Sequence, residues 1–529
     1  MPIVQSGSLN TTALVVPDLY VQIVPPQNLV LNGVPTNVIG MVGTASWGPV
    51  NQPVIVGSMA DYSRSFGALQ SRKFDMGTQV ATAVQQGAQA FRCVRVTDGS
   101  DVAASYAMFF TGGGYPVLLA ARYSGSLGNQ IAVQILPGSG AGTWRLTIGL
   151  PGQLAENFDN IAAPTAAAFW QSLVTAVNQG QGPLRGPSQL CVASLGSSTA
   201  TAPGQLVSQT LLNGSDGATG VTSSTLVGSD GLPRRGMYAL RGQGCSLMVV
   251  SDLDDAATWT TQAGFAQQEG VYVILTGPSG DSIPTAIQVK QAAGLDSYSA
   301  KLMFGDWVYW SDPVAGTVRL VSPQGFVAGR LANLSPEQSS LNKPLYGVVG
   351  TQRAGVPGSG GTTGYSTAEL ASLLGSGLDV IANPQPGGAY WGARGGHNSS
   401  SNAGTNGDNY TRLTNFISAT LAAGMGQYVG QVINAGLFRR IRSTQLSFLQ
   451  AMLGQGILGS ADGSQPFSVI CDTSNNPASR TGLGYVQSDA QIQYQAINER
   501  FIVNLEGGQT VQVTRQTLPG GQVDAGRVN

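Results

Sequence analysis

Val38-Ile39-Gly40-Met41-Val42 has no polar position, and residues 245–250 and 271–275 are nearly as apolar. A strand with one wet face alternates apolar and polar residues, so an unbroken apolar run marks a strand covered on both faces. Residues 256–268, between the last two runs, have helical character. Strand, helix, strand is the rhythm of a mostly parallel sheet, because parallel strands need a crossover connection. Near the first run, Val80, Ala83 and Val84 fall at helical spacing, and Phe91-Arg92-Cys93-Val94-Arg95-Val96 alternates. The fold class is α/β. The chain is also multidomain, because its 529 residues exceed the roughly 250–300 at which single cores stop growing.

The segments differ in character along the chain. Residues 1–27 read as an extended N-terminal arm in which Leu19, Tyr20, Val21 and Ile23 belong to a β-prone run closed by Pro25-Pro26. Residues 28–102 are the first part of an α/β core. Residues 103–212 form an inserted β-rich domain, with short strands at 131–135 and 144–148 joined by the glycine-rich stretch 137–142, then one helix near 166–177. Residues 213–395 return to α/β, and 396–508 form a C-terminal domain, helical at first, with Leu446, Leu449 and Leu453 on one face. Strands are expected at 467–471 and at Phe501-Ile502-Val503-Asn504-Leu505, and residues 509–529 form a C-terminal arm carrying Val511 and Val513. A lone terminal strand cannot satisfy its own backbone groups, so it must pair with a sheet edge of its own chain or another.

Composition adds a hint about partners. Charged residues make up only 10% of the chain and glycine reaches 73 residues, so the surface must be covered by small neutral polar groups. Few charges then need desolvating at contacts, which suits a protein that packs against copies of itself. With 26 basic against 27 acidic residues and no long basic run, there is no electrostatic footprint for nucleic acid. No stretch approaches the ~20 consecutive apolar residues of a membrane span, and the N-terminus lacks a signal-peptide pattern. Cys93, Cys191, Cys245 and Cys471 lie far apart beside apolar segments, which points to buried free thiols in a protein made in a reducing cytoplasm.

Catalytic patterns are missing. The single histidine, His397, sits in a polar loop with no nucleophile elbow nearby and reads as a solvated loop residue. One His and four scattered Cys cannot build an ordinary zinc site. None of the four lysines completes a Walker loop. Gly138, Gly140 and Gly142 resemble a dinucleotide fingerprint only loosely, because a strand and not a helix follows. Asp254-Asp255 precede a helix and suit capping. No catalytic residue, metal or cofactor is expected.

The order of short motifs carries more information than any one of them. Asp18-Leu19-Tyr20-Val21-Gln22-Ile23, then Val42-Gly43-Thr44-Ala45-Ser46-Trp47-Gly48-Pro49-Val50-Asn51, resembles the opening of contractile-tail sheath proteins. Asp61-Tyr62-Ser63-Arg64-Ser65-Phe66-Gly67, the Phe91–Val96 strand, Leu212-Asn213-Gly214-Ser215-Asp216-Gly217 and Pro323-Gln324-Gly325-Phe326-Val327-Ala328-Gly329 follow in the same order. Trp391-Gly392-Ala393-Arg394 and Gly456-Ile457-Leu458-Gly459 complete the series.

The resemblance implies a sheath core built from both chain ends, a subtilisin-like α/β middle segment without catalytic residues, the inserted peripheral β-rich domain, and extended terminal arms. It further implies a structural subunit and not an enzyme: a homo-oligomeric helical sheath, assembled in the host bacterial cytoplasm as part of the virion tail. Its expected partners are the inner tail tube, the baseplate and the tail terminator, with no direct nucleic-acid contact and no membrane insertion. Leu19, Tyr20, Val21, Ile23, Phe501, Val503, Leu505, Val511 and Val513 are the expected subunit-linking positions. Arg439, Arg440 and Arg442, the densest basic cluster, placed just before the helix carrying Leu446, are candidates for tube contact. The competing readings are a serine hydrolase on the middle segment, or another self-assembling virion protein.

Overall fold

The computed structural model describes residues 3–4, 21–22, 31–108, 114–183, 185–356, 364–505 and 507. The chain divides into a unit spanning 1–495 and a short second unit, 496–529. In the first unit, β1 (Ile3–Val4) pairs in parallel with β2 (Val21–Gln22), in the register Ile3 to Val21 and Val4 to Gln22. The main sheet begins with β3 (Ile39–Gly43), every residue of which is buried. β4 (Pro53–Val56), α1 (Met59–Phe66), α2 (Met76–Gln85) and β5 (Phe91–Arg95) follow. Asp75 starts α2 because its carboxylate accepts the Thr78 backbone N–H at 2.8 Å, satisfying one of the donors that a helix leaves unpaired at its start.

The insertion contains two sheets packed with one helix. Its strands are β6 (Ser105–Ala107), β7 (Val117–Ala121), β8 (Ala132–Pro137), β9 (Trp144–Gly149) and β10 (Glu156–Ile161). Helix α3 (Ala166–Gln179) and strands β11 (Cys191–Leu195) and β12 (Leu206–Thr210) complete it. The strand orders are β10-β9-β8-β12 and β11-β7-β6. The glycine-rich stretch is the β8–β9 hairpin turn, closed by Gly138 N to Thr143 O at 2.8 Å. Phe158, Phe169, Trp170 and Leu173 are among the residues of the separate core that these elements bury.

After the short α4 (Ser223–Val227), the chain returns to the main sheet through β13 (Leu247–Val250), α5 (Trp259–Glu269), β14 (Tyr272–Thr276), α6 (Ile283–Ala292) and β15 (Ala300–Met303). The six strands run in the order β15-β14-β13-β3-β5-β4, all parallel except β4. Residues on either side of the insertion therefore share one sheet. A small antiparallel sheet, β16 (Val308–Asp312), β17 (Thr317–Val321) and β18 (Val348–Thr351), follows, with α7 (Gln324–Ala332) between its last two strands.

Gly325 and Gly329 explain the glycines of the 323–329 motif. A Cβ at Gly329 would lie 2.5 Å from the Ala83 Cα, and one at Gly325 would lie 2.2 Å from the Thr82 Oγ1. Only bare backbone lets α7 lie this close to α2. Together they cover the face of the sheet that buries Met41, Val80, Phe326 and Val327.

Helix α8 (Thr367–Gly375) and the two-residue strands β19 (Ile381–Ala382) and β20 (Gly392–Ala393) lead to a C-terminal helical module. It consists of α9 (Asp408–Met425), α10 (Ala435–Gly454), β21 (Phe467–Ile470), the short α11 (Ala478–Thr481) and β22 (Asp489–Ile492), with β21 and β22 antiparallel. Leu31 enters this module's core beside Leu413, Ile417, Phe448 and Leu449, and Val34 N donates to Thr420 Oγ1 at 3.2 Å. Within the first unit, residues 31–34 therefore pack against the helices that follow residue 408.

Candidate assembly surfaces

Three of the resemblance motifs converge where the main sheet meets the insertion. Arg95, at the end of β5, is fully buried. Its Nη1 donates to Gly48 O at 2.8 Å and Ser124 O at 2.7 Å, and its Nη2 to Asp216 O at 3.0 Å. Asp216 also accepts from Ser126 N and pairs with Arg72, both at 2.6 Å. Trp47 leaves the sheet to join the insertion's core. At Gly48 the backbone lies at φ +96°, and a Cβ would meet Ser65 O at 2.5 Å. The turn motif, the arginine-bearing strand and the Asn-Gly-Ser-Asp-Gly loop are therefore parts of one joint.

The carboxyl ends of parallel strands are where α/β proteins place ligands, at the point where strand order reverses. Here that point lies between β3 and β13, and side chains fill it. Asp252 accepts from Phe74 N at 3.1 Å and from Gln79 Nε2 at 2.8 Å, while Gln324 donates to Val250 O and Ile274 O. A cleft of about 510 Å³ borders this plug, lined by Arg72, Lys73, Asp252, Asp254, Trp307 and Arg319 among others. Its three cations are paired with Asp216, Asp254 and Asp312 at 2.6, 3.0 and 2.9 Å. Asp254 thus pairs with a lysine, while Asp255 alone caps the following turn through Ala257 N at 3.0 Å. Among the described residues no three His, Cys, Asp or Glu side chains form a metal-binding group.

Asp75 and Asp252 are buried beside this crevice, and burial pushes the pKa of each up to about 6. A folded pKa above the unfolded one means that the native state binds the extra proton, so this contribution to stability is full below about pH 4 and lost as pH rises through 6. The unassembled chain should therefore melt at a higher temperature at pH 5 than at pH 7.5, by on the order of 1–3 kcal/mol of stability. Asp75→Asn keeps the accepting oxygen and places its amide at Oδ1, which has no hydrogen-bond partner in the structure. It should raise the pH 7.5 midpoint and shrink the difference. A midpoint that falls on acidification to pH 5 contradicts this.

His397 is half-buried and bridges to Gly407, so it is not the solvated loop residue expected. Its carbonyl accepts from Lys301 Nζ at 3.0 Å. Lys301 belongs to a buried junction that sequence reasoning missed. Its ammonium lies 2.6 Å from Asp379 and 3.1 Å from Asp408, and the side chains are 0%, 2% and 0% exposed. Asp408 further accepts from Tyr272 OH at 2.6 Å and Ser340 Oγ at 2.5 Å. Burial opposes charge on both Lys301 and Asp408; the Asp379 carboxylate, then that of Asp408, outweighs it for the lysine, and the ammonium with the Ser340 and Tyr272 hydroxyls outweighs it for Asp408. The lysine's pKa is raised, and the Asp408 carboxyl is held down at about 2. This junction fastens the first turn of α9 to β14 and β15. A lysine inside an otherwise apolar strand run was the one available signal.

The expected linking positions fall on both units. Val21 is paired through its backbone with Ile3 of its own chain. Leu19, Tyr20 and Ile23 lie outside the described residues, as do Val511 and Val513. Residues 501–505 carry no strand, contrary to expectation, and Phe501, Val503 and Leu505 are 81%, 68% and 91% exposed. A β-prone segment without a neighbouring edge leaves its backbone groups to water and does not hold strand geometry. The sheet of β21 and β22 has no third strand among the described residues.

Arg439, Arg440 and Arg442 lie inside α10 and not before it, in the helix that also carries Leu446. Arg442 Nε donates to Val469 O at 3.0 Å, so that side chain is tied to β21. Arg439 and Arg440 bond only locally, to Ala435 O at 3.3 Å and Gln431 Oε1 at 2.9 Å. Near them Val429 and Val432, on the α9–α10 connection, are 86% and 79% exposed.

A mostly parallel α/β sheet with an inserted β domain, a C-terminal helical module and an exposed apolar run at 501–505 defines a multidomain α/β protein. Comparison with solved structures identifies the particular fold as that of contractile sheath proteins. The chain is similar to the sheath tail protein Lin1278 from Listeria innocua, with a TM-score of 0.58 and 15% identity over 84% of this chain and 90% of that one. It is similar to the sheath tail protein DSY3957 from Desulfitobacterium hafniense, with a TM-score of 0.56 and 16% identity over 85% and 92%. It also matches the sheath of an extracellular contractile injection system, PVC, in the contracted state, with a TM-score of 0.53 and 12% identity over 94% and 99%. No family's sequence profile and no curated protein matches the chain by sequence. Among the described residues, no helix is long and apolar enough to cross a membrane.

Proposed function

We propose that this chain is the structural subunit of a contractile sheath, polymerising as a helical cylinder around an inner tube and shortening to drive that tube through a target envelope. The observation that carries this reading is the match of nearly the whole chain to the PVC sheath, 94% of one and 99% of the other. In this reading the subunit is a virion tail component assembled in a bacterial cytoplasm, with baseplate and terminator proteins at its ends. In it the segment 213–395 is the subtilisin-like portion, residues 396–508 are the C-terminal sheath domain, and the sheath core is built from both ends of the chain.

The linking device is β-augmentation: backbone groups that an arm cannot satisfy alone are completed by another copy's sheet edge. The exposed run at 501–505 and the two-stranded sheet of β21 and β22 support this reading. Contraction in this account draws on surface buried between subunits, at ~25 cal/mol per Å² of apolar area before ordering costs, and needs no nucleotide.

Arg439 and Arg440, with Val429 and Val432 close by in the chain, are the favoured tube contact, while Arg442 serves β21. A weak, salt-sensitive attraction to an acidic tube wall would hold the cylinder yet let it slide. Electron microscopy tests both levels. The purified chain should form helical cylinders, and co-expressed tube should lie inside them at low salt. Arg439→Gln with Arg440→Gln should leave the cylinders and empty them of tube. Closed shells or lasting monomers reject the function, and normal tube pairing in the double variant rejects the contact.

A further inference from the structure

Lys301 lies on β15, and residue 379 runs parallel beside it. Asp379 N donates to Leu302 O at 2.9 Å, and Phe304 N donates to Asp379 O at 2.7 Å. That frame brings Lys301 Nζ within 2.6 Å of Asp379 Oδ2, with the side chains 0% and 2% exposed. A second carboxylate, Asp408, reaches the same nitrogen at 3.1 Å. The Asp379 carboxyl is gripped by backbone N–H groups of Val380, Arg394 and Gly395 on Oδ1, at 2.7, 3.2 and 2.7 Å, and of Gly396 on Oδ2 at 2.9 Å.

We propose that Lys301 and Asp379 condense into an intramolecular isopeptide bond, with Asp408 as the proton carrier. The ammonium first gives a proton across its short contact to the Asp379 carboxylate, leaving a neutral amine against a neutral acid. The nitrogen lone pair attacks Cγ, and the developing oxyanion lies among the backbone N–H donors, where such charge is stabilised without reorganisation. Asp408 takes the second proton from nitrogen and passes it to the departing oxygen. The Nζ–Cγ bond has then formed, one Cγ–O bond has broken, and one water leaves. Both of its protons come from the ammonium and its oxygen from the carboxylate. Nothing is oxidised or reduced.

Charge balance favours the product. Before reaction the site holds the cations Lys301 and Arg412 and the anions Asp379 and Asp408. Arg412 is 5% exposed and bonded to Ser335 O at 2.8 Å and Leu334 O at 2.7 Å. Afterwards Asp408 and Arg412 remain as counter-charges, and two buried charges have become a neutral amide. Buried charges are costly even when paired, and the fixed contact removes the entropic cost of bringing the groups together. Because two carboxylates favour the ammonium, the neutral pair is a minor state, and the bond accumulates slowly after folding.

The test is the intact mass of the denatured, fully aged, full-length chain. The proposal expects a mass one water below that of the sequence, and a digest in which the peptides holding Lys301 and Asp379 are joined. Lys301→Arg and Asp408→Asn should both restore the full mass, the second without removing either bonding partner. An aged wild-type chain at full mass overturns the proposal whatever the variants do. An Asp408→Asn chain that loses water as fast as wild type overturns the role of Asp408.

Discussion

A chain lacking residues 1–24 should fold with the same helix content and the same melting temperature as the full chain, yet fail to form cylinders at any concentration. Leu31, the first residue seen in the C-terminal core, lies beyond the cut, so the packing of α9 and α10 is untouched. Among the described residues, the deletion removes β1 and β2, a parallel pair only two residues long. So short a pair adds little to a fold. Its loss should be invisible to a melting curve and decisive for polymerisation, because the proposed linkage has arm strands complete their hydrogen bonding against another copy's edge. Sedimentation and negative-stain microscopy of the truncated chain read this directly. Normal cylinders from it would show that the N-terminal arm links nothing.

Lys301→Met should be the most damaging single change to the folded subunit. The substitution fits an apolar strand by volume and removes the ammonium that both buried carboxylates contact, leaving Asp379 without its cation and Asp408 with only the more distant Arg412. Breaking a buried pair from one side typically costs about 3–5 kcal/mol, because the stranded charge keeps its desolvation penalty. Part of that cost will be met by protonating one of the two carboxylates, so the variant should recover stability as pH falls toward 5. Denaturant unfolding of the unassembled chain at pH 7.5 and pH 5 measures both effects. A variant as stable as wild type at pH 7.5 would mean that the junction does not hold α9 to the sheet.

These residues also mark what could be read from sequence. Runs such as 38–42 and 271–275 were legible because burial on both faces leaves no polar position, and β3 and β14 lie where those runs predict. The glycine-rich turn at 137–142 was legible for a similar reason: a hairpin turn needs local chemistry only. Lys301, Asp379 and Asp408 meet across long stretches of chain, and nothing in the spacing of three charged residues announces that. Arg95 was read as one position of an alternating strand, and its role emerges only when Gly48, Ser124 and Asp216 surround it. The misplacement of the arginine cluster was a boundary error: α10 starts at Ala435, where Asn434 accepts Leu437 N, and Leu437, Phe438 and Ile441 already form its buried face around the arginines. The strand expected at 501–505 is a different kind of miss. Its β-prone composition is present, but no described strand pairs with it.

In the proposed sheath, chain ends acquire structure from other copies. A high-resolution cryo-electron reconstruction of cylinders assembled from the full-length chain tests it most directly. The account predicts residues 501–505 in strand geometry, hydrogen-bonded to a sheet edge of a different subunit, with an N-terminal strand from another neighbour in the same lattice. A cylinder whose subunits touch only through side chains, with both ends folded back onto their own copy, would contradict it.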